Sequence, residues 1–164
     1  PELTVINPGL ILGPVLGKSA GPSLEFISRL MEGSYPAVPH LGFAMVDVRD
    51  VAAAHIAAMT APEAAGQRFC CTHEFWWMQD MAKVLAAEFA SQGYKIPTGR
   101  LPGFVFRVAT LFDKSARVFL PRIGLRVEFS NERIKRVLKW QPRPARDTIL
   151  DTARGLVEYD LVSK

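Results

Sequence analysis

The opening segment constrains the fold more than any other feature of the sequence. Residues Leu3 to Ile6 form an apolar run that predicts a β-strand, which Asn7, Pro8 and Gly9 bring to an end. A strand without neighbours leaves its backbone N–H and C=O groups unpaired, and the residues that follow offer no obvious partner. We therefore expect further strands to come from upstream of this sequence.

Composition indicates a single globular unit over residues 1–164. Hydrophobic residues make up 49% of the 164 residues and charged residues 22%, which is enough apolar mass for one core. No apolar run reaches the roughly 18 residues of a membrane span, and the opening segment lacks the pattern of a signal peptide. We expect a soluble, cytoplasmic protein without a membrane partner. Cys70 and Cys71 are adjacent in a predicted strand, where they would act as small buried hydrophobes.

The net charge of +4 comes mainly from the second half of the chain. A basic surplus can attract nucleic acid, but here the basic residues are scattered among core-type positions and no nucleic-acid-binding module is recognisable. We therefore predict a solvated basic face and no nucleic-acid partner. The residues concerned are Arg100, Arg107, Lys114, Arg117, Arg122, Arg126, Arg133, Lys135, Arg136 and Lys139.

Apolar periodicity predicts an alternation of strands and helices, which is typical of an α/β fold. After the first strand and a loop to Gly21, the predicted strands are FAMVDV from Phe43, Gln67–Cys71, an edge strand at Tyr94–Ile96 and Leu125–Phe129. The predicted helices are Pro22 to Gly33, Val48–Thr60, Phe75–Ala90, Leu101–Arg117, a short helix capped by Ser130, and Asp147–Val162.

Two side-chain patterns have structural interpretations. Asp47 and Asp50 resemble a helix N-terminus, with Asp47 as the cap and Asp50 paired with a basic neighbour, and we prefer this to an acid/base pair. The apolar stripe of the Leu101–Arg117 helix is interpreted as core, as is the inner face of the last helix. These stripes are Phe104, Val105, Val108, Leu111 and Phe112, and Ile149, Leu150, Ala153, Leu156 and Val157.

Several catalytic and nucleotide-binding motifs are missing from the sequence. The histidines His40, His55 and His73 lie in unrelated contexts without metal-ligand spacing, so we expect no metal. Neither a hydrolase nucleophile elbow nor a phosphate-binding loop occurs. Without a glycine-rich loop leading into a helix, the chain has no evident means of holding the pyrophosphate of a dinucleotide.

Four blocks carry a family resemblance. INPGLILGP (Ile6 to Pro14), GPSL (Gly21 to Leu24), MVDVRDVAAAH (Met45 to His55) and the closing LKWQPRPARDTILDTARGLVEY (Leu138 to Tyr159) resemble the second half of extended short-chain reductases of the dihydroflavonol reductase type. Sugar-nucleotide epimerases and dehydratases share this plan. The resemblance implies the C-terminal part of a doubly wound Rossmann-type fold with a small helical substrate lobe of its own.

The resemblance also identifies what this sequence lacks. In the family, a Rossmann domain with a glycine-rich loop and a catalytic Tyr-x-x-x-Lys pair comes first, and the Tyr protonates the alkoxide left by hydride transfer. No tyrosine here has lysine four residues later: Pro39, Thr98 and Ser163 follow Tyr35, Tyr94 and Tyr159 at that spacing. We therefore expect no catalytic residue in this chain and no activity from it alone.

The remaining site residues are those of the cofactor's nicotinamide end. The resemblance implies that backbone groups of Pro8, Gly9 and Leu10 approach the carboxamide, with a glycine letting the ring come close, and that Ser23 contacts the cofactor. The alternative for Pro8 and Gly9 is an ordinary turn after a strand. The cofactor would be NADP or NAD in the complete protein, with no tight binding to this chain.

By the same resemblance, the complete protein reduces a small-molecule ketone or aldehyde, and its partners are the missing N-terminal Rossmann part and, through the exposed strand edge, another copy. Substrate choice would lie in residues 15–21, 34–44 and 75–77, where Trp76 or Trp77 would form a pocket wall. The alternatives are a non-catalytic dinucleotide sensor and a sugar-nucleotide epimerase or dehydratase. Many epimerases have His where this chain has Asp47, which favours the reductase.

Overall fold

The computed structural model describes residues 2–18, 21–112 and 117–164 of an α/β chain. Its strands are β1 (Val5–Pro8), β2 (Leu10–Leu12), β3 (Val38–Pro39), β4 (Gly42–Asp47), β5 (Arg68–Cys71), β6 (Phe75–Trp77) and β7 (Arg100–Leu101). Its helices are α1 (Pro22–Met31), α2 (Val48–Thr60), α3 (Met78–Phe89), α4 (Gly103–Phe112), α5 (Glu132–Leu138) and α6 (Ala145–Glu158). Short 3₁₀ turns follow α2 and α3 and cover Leu120–Arg122.

The first strand has a partner within the chain, so the expectation that it lacks neighbours is wrong. β1 pairs in parallel with β5, and the Gly9 N–H continues the ladder to the Cys71 carbonyl at 3.3 Å. The backbone N–H groups of Val5 and Gly9 donate hydrogen bonds to β5. Because successive residues of a strand point their N–H groups to opposite sides, the N–H position of Pro8 lies on the open edge of β1, where the missing hydrogen is not needed. Pro8 therefore interrupts no ladder bond, and Pro8–Gly9 is not a turn.

A second strand follows directly where the sequence predicted a loop. β2 pairs in parallel with β4, and β6 pairs antiparallel with the start of β4. The predicted helix from Phe75 is therefore wrong in its first three residues, because pairing with β4 keeps them extended before α3 begins at Met78. As a strand, β6 points Trp76 and Trp77 to opposite faces. Trp77 stacks on His40 with ring centroids 4.1 Å apart.

Two apolar clusters form the core, one on each face of β4. The larger cluster includes Met45 and joins β2 and β4 to α1, α3 and α6, whereas the smaller includes Val46 and joins β5 to α2 and α5. Met45 and Val46 are adjacent in β4 and are 0% and 1% exposed. They reach different clusters because successive side chains of a strand point to opposite faces. β2 alternates likewise, because Leu12 belongs to the larger cluster and Ile11 packs on the smaller.

Helices with strong local signals lie where the sequence predicts them. α1 begins at Pro22, and α2 has the predicted bounds with Asp47 as its N-cap. The last helix begins two residues earlier than predicted and ends at Glu158, since the chain turns at Asp160, which has a φ of 55°. Its predicted inner face is confirmed: Ile149, Leu150, Ala153 and Leu156 are buried and Val157 is half-buried.

The interpretation of the α4 stripe as core is wrong. Phe104, Val108 and Leu111 are 72%, 53% and 66% exposed, and Phe106 is the aromatic residue of this helix that is buried. The segment 113–116 and the side chain of Phe112 lie outside the described residues. Within the described ranges, each helix is too short or too polar to cross a bilayer.

Two predicted strands are absent from the described part of the chain. Tyr94–Ile96 and Leu125–Phe129 are irregular, and the short parallel pair of β3 with β7 occupies the place expected for an edge strand. Tyr94 instead packs edge-to-face on Phe89, with ring centroids 6.1 Å apart. The short helix after Ser130 exists as α5, although its N-cap is Asn131.

Candidate functional site

A cavity of about 350 Å³ lies at the carboxyl ends of the parallel pair β1 and β5. This is the edge at which ligands bind in open α/β sheets, and the volume falls within the range of small-molecule sites. The strands contribute Asn7, Pro8, Gly9 and Leu10 from one side and Cys70 and Thr72 from the other. The chain thus brings together three of the four residues expected to contact a cofactor.

Gly9 lies between β1 and β2, close to the backbone of β4. A Cβ atom at this position would clash with the Ala44 carbonyl oxygen and would meet the Thr72 methyl group at 3.0 Å. The structure therefore gives a reason for glycine that the sequence did not suggest: the backbone of β4 leaves no room for a side chain at this position. Pro8, Gly9 and Leu10 all line the cavity.

The remaining lining is largely apolar. Phe43 and Ala44 of β4 and Phe75 of β6 line the cavity together with Leu125, Val127 and Phe129, which come from the irregular segment before α5. Phe43 packs edge-to-face on Phe26 and on Phe119, at centroid distances of 5.6 and 6.4 Å. Such a lining suits an aromatic or branched aliphatic ligand.

Thr72 was missed by the sequence analysis. Its backbone carbonyl accepts a 2.7 Å hydrogen bond from the side-chain amide of Asn131, and both residues are buried. This bond fixes the end of β5 to the N-terminus of α5. Because Thr72 directly follows a strand that the sequence predicted, the rule that ligands bind at the ends of parallel strands could have identified it.

Ser23 lies apart from the other predicted site residues. It lines a separate, shallower cavity of about 250 Å³ with Ile11, Leu12, Gly13 and Val48. Its side chain is half-buried in the first turn of α1. Neither Trp76 nor Trp77 lines the cavity at the ends of β1 and β5, where Phe75 takes the position expected for a tryptophan.

Asp47 is held in a buried network. Its carboxylate accepts from the Arg49 backbone N–H at 2.8 Å, from the Arg49 guanidinium at 2.7 and 2.9 Å, and from the Thr148 hydroxyl at 2.9 Å. Arg49 also pairs with Asp151 at 2.7 Å. Burial alone would raise the pKa of the Asp47 carboxyl, but the hydrogen bonds from Arg49 and Thr148 outweigh it and lower that pKa. The predicted cap is confirmed and extends to α6.

Asp50 has the basic partner that the sequence predicted. Its carboxylate pairs with the Arg143 guanidinium and accepts the Arg143 backbone N–H at 2.7 Å. The indole N–H of Trp140 donates to the Asp50 carbonyl at 2.9 Å. These bonds attach the segment between α5 and α6 to the first turn of α2. Neither Asp47 nor Asp50 lines the cavity.

Few of the described residues that line the cavity carry proton-transfer groups. Among the described residues, its ionisable lining groups are Cys70 and Arg122. Burial, with a contribution from Asp50, raises the pKa of the neighbouring Cys71 thiol to about 12, so Cys71 is unreactive at neutral pH. The described lining can shape and bind a ligand but offers no tyrosine, histidine or carboxyl group to protonate one.

Comparison with known proteins identifies relatives among reductases. No family model matches the chain. It is 30% identical over 165 residues to the NADPH-dependent methylglyoxal reductase of Saccharomyces cerevisiae, and 31% identical over 157 residues to cinnamoyl-CoA reductase 1 of Petunia hybrida. These alignments include 97% and 96% of this chain.

The solved structures give the same result. The crystal structure of the yeast methylglyoxal/isovaleraldehyde reductase complexed with NADPH superposes with a TM-score of 0.71 at 29% identity, covering 97% of this chain. The chain spans 44% and 41% of the two curated relatives and 44% of the crystal structure. The matched part is thus less than half the length of each relative.

Proposed function

The chain belongs, as a C-terminal part, to the NAD(P)-dependent reductases of the epimerase/dehydratase type, and from this premise we propose that it forms the substrate side of an enzyme that reduces a ketone or aldehyde. The cavity at the ends of β1 and β5 is the observation that supports this most directly. Its apolar lining accommodates a small carbonyl compound beside Pro8, Gly9 and Leu10.

We assign the nicotinamide end of an NADPH or NADH cofactor to Pro8, Gly9, Leu10 and Ser23. The first three residues fit this end of the cofactor because they line the cavity and because Asn7 and Pro8 are exposed. Ser23, which lines a separate cavity, is assigned from the family resemblance alone. The bound cofactor would supply a hydride to the substrate carbonyl carbon. The chain's own contribution is to orient the carbonyl compound and to exclude water from it through Phe43, Phe75 and Phe129.

Two further parts of the proposal concern the complete protein. An alkoxide needs a proton, and the described cavity lining offers no tyrosine, histidine or carboxyl group to donate one, so we infer that the donor comes from upstream and that this chain is inactive alone. The open edge of β1 is the natural attachment for upstream strands. In the isolated chain this edge would instead favour self-association.

Calorimetric titration with NADPH, carried out on this chain and on the full-length protein, tests whether the residues that anchor the cofactor lie outside this chain. We expect millimolar or weaker binding by the chain, because charge-assisted hydrogen bonds to the pyrophosphate, about 1.5 to 3 kcal/mol each, are missing. The full-length protein should bind NADPH at least a hundredfold more tightly and reduce methylglyoxal or a benzaldehyde. Micromolar NADPH binding by this chain as a monomer in light scattering would contradict the proposal.

A uridine-nucleotide titration of the full-length protein separates a reductase from an epimerase. Tight binding of a uridine diphosphate sugar, without NADPH-dependent reduction of any carbonyl compound, would overturn the assignment. Binding of NADPH without turnover of methylglyoxal, benzaldehydes or nucleotide sugars would instead indicate a dinucleotide sensor.

A further inference from the structure

Arg122 is the single cation among the described residues that line the cavity at the ends of β1 and β5. It ends the 3₁₀ turn Leu120–Arg122, and its side chain is exposed. No acidic side chain in the described ranges forms an ion pair with it, and its guanidinium donates no hydrogen bond there. A cation beside an apolar cavity, with no counterion among the described residues, is a feature to be explained.

Two acidic residues near the cavity, Glu74 and Glu128, already have partners. Glu128 pairs with Arg126 at 2.5 Å, and the Arg126 guanidinium lies 5.4 Å from the centroid of the Phe75 ring. Glu74 accepts from the Trp76 indole at 2.9 Å and lies 3.2 Å from the His73 ring nitrogen. Local acids therefore compensate Arg126 and leave the positive charge of Arg122 facing the cavity.

The backbone around Arg122 is fixed to the substrate lobe. Its own N–H donates to the Phe119 carbonyl at 2.9 Å, and Gly124 donates to the His40 carbonyl at 2.8 Å. Phe119 in turn packs against Phe43, which lines the cavity. These contacts hold the base of the Arg122 side chain beside the cavity.

We propose that Arg122 binds an anionic group on the substrate, which would then be an apolar aldehyde or ketone that also carries a carboxylate. This inference rests on the proposed reductase function. A ligand contacting both Leu10 and Arg122 would present its carbonyl near the cofactor-binding strand end and its carboxylate to the guanidinium. A planar guanidinium binds a carboxylate through two parallel hydrogen bonds.

The test compares 4-formylbenzoate with 4-methylbenzaldehyde, its neutral analogue of similar shape, in the full-length enzyme and in Arg122→Gln. We expect the substitution to raise KM for 4-formylbenzoate about tenfold, the loss of roughly one charge-assisted hydrogen bond, with kcat nearly unchanged. KM for 4-methylbenzaldehyde and for NADPH should not change. Arg122→Lys should give an intermediate KM, because it retains the charge without the planar fork.

Arg133→Gln is the matched control, since Arg133 is also exposed but lies on α5 outside the cavity lining. Equal effects of the two substitutions would mean that general charge, not the position of Arg122, attracts the substrate, and would overturn the proposal. A raised KM for NADPH in Arg122→Gln would also overturn it, because Arg122 would then bind the cofactor.

Calorimetric binding of 4-formylbenzoate provides a readout without turnover. If no carbonyl compound is reduced but binding still depends on Arg122, the anion site stands and the reductase function fails. If both aldehydes are reduced and neither KM responds to Arg122→Gln, the reductase function stands and the anion site is rejected. Circular dichroism melts of each variant identify any loss of activity caused by unfolding.

Discussion

Gly9 follows β1 and lies against the backbone of Ala44 in β4 and the side chain of Thr72 after β5. Gly9→Ala should destabilise the chain by about 1 to 3 kcal/mol, because the new methyl group clashes with the Ala44 carbonyl and forces β1 away from β4. Urea denaturation followed by circular dichroism measures the change. Gly99→Ala is the control, since a Cβ atom at Gly99 meets nothing within 4 Å, and it should stay within about 0.5 kcal/mol of the parent. Equal stabilities for both variants would show that the contact with Ala44 costs nothing.

Asp47 makes the stability of the chain depend on pH. Its carboxyl pKa is lowered in the folded state, so the stabilisation is complete above the ordinary value of 3.8 and is lost as the pH falls through the folded-state pKa. Asp47→Asn should therefore cost about 1 to 3 kcal/mol at pH 7, and the difference from the parent should shrink below about pH 4. Urea melts at several pH values measure this difference. A difference that grows on acidification would contradict the pKa direction.

At the residue scale, the sequence predicted local roles but not distant partners. The cap formed by Asp47 follows from its place just before a helix, and Asp50 was expected to have a basic neighbour. That Thr148 completes the Asp47 network, and that the neighbour of Asp50 is Arg143, depends on the packing of segments far apart in the chain. The same limit hid Arg122, which no local pattern connects to Pro8 or Leu10.

The closing helix α6 packs against α1, α3 and β4, which makes it central to the larger cluster. Leu156→Ala should destabilise the chain by about 2 to 5 kcal/mol, because Leu156 is 0% exposed and its removal leaves a cavity. Chemical denaturation measures the loss. Glu158→Ala, an exposed substitution in the last position of the same helix, should change stability by less than about 0.5 kcal/mol. A Leu156→Ala variant as stable as the parent would remove α6 from the core.

At the scale of elements, helices were predicted better than strands. α1 and α2 carry their own start signals, Pro22 and Asp47, so a short stretch of sequence defines them. β2 and β6 have only three residues each and depend on β4 for pairing, which periodicity along the chain does not reveal. α4 was correctly predicted as a helix, but the exposure of its apolar face was not predicted. Its sequence resembles that of a core helix, and whether another element covers that face cannot be read from the helix itself.

For the whole molecule, the sequence predicted the α/β class and the resemblance to reductases. It did not predict the cavity, which is formed by residues far apart in the chain. Its lining combines the ends of β1 and β5 with the irregular segment 122–129, which the sequence had predicted in part as a strand. Long-range pairing brings these parts together. Among the described strands, the same pairing gives β1 one neighbour and leaves its other edge open.

The position of β4 between the two apolar clusters has a consequence for how the chain comes apart. Met45 and Val46 place the same strand in both clusters, so displacing β4 from one cluster also exposes the other. The two clusters should therefore unfold as one cooperative unit. Native-state hydrogen exchange should then give equal opening free energies for the amides of Phe69, in the smaller cluster, and Ile149, in the larger. Amides that exchange at clearly different free energies would mean two independent units. If the free energies agree, proteases acting on the native chain would find no half-folded form to cleave, and degradation would follow global unfolding.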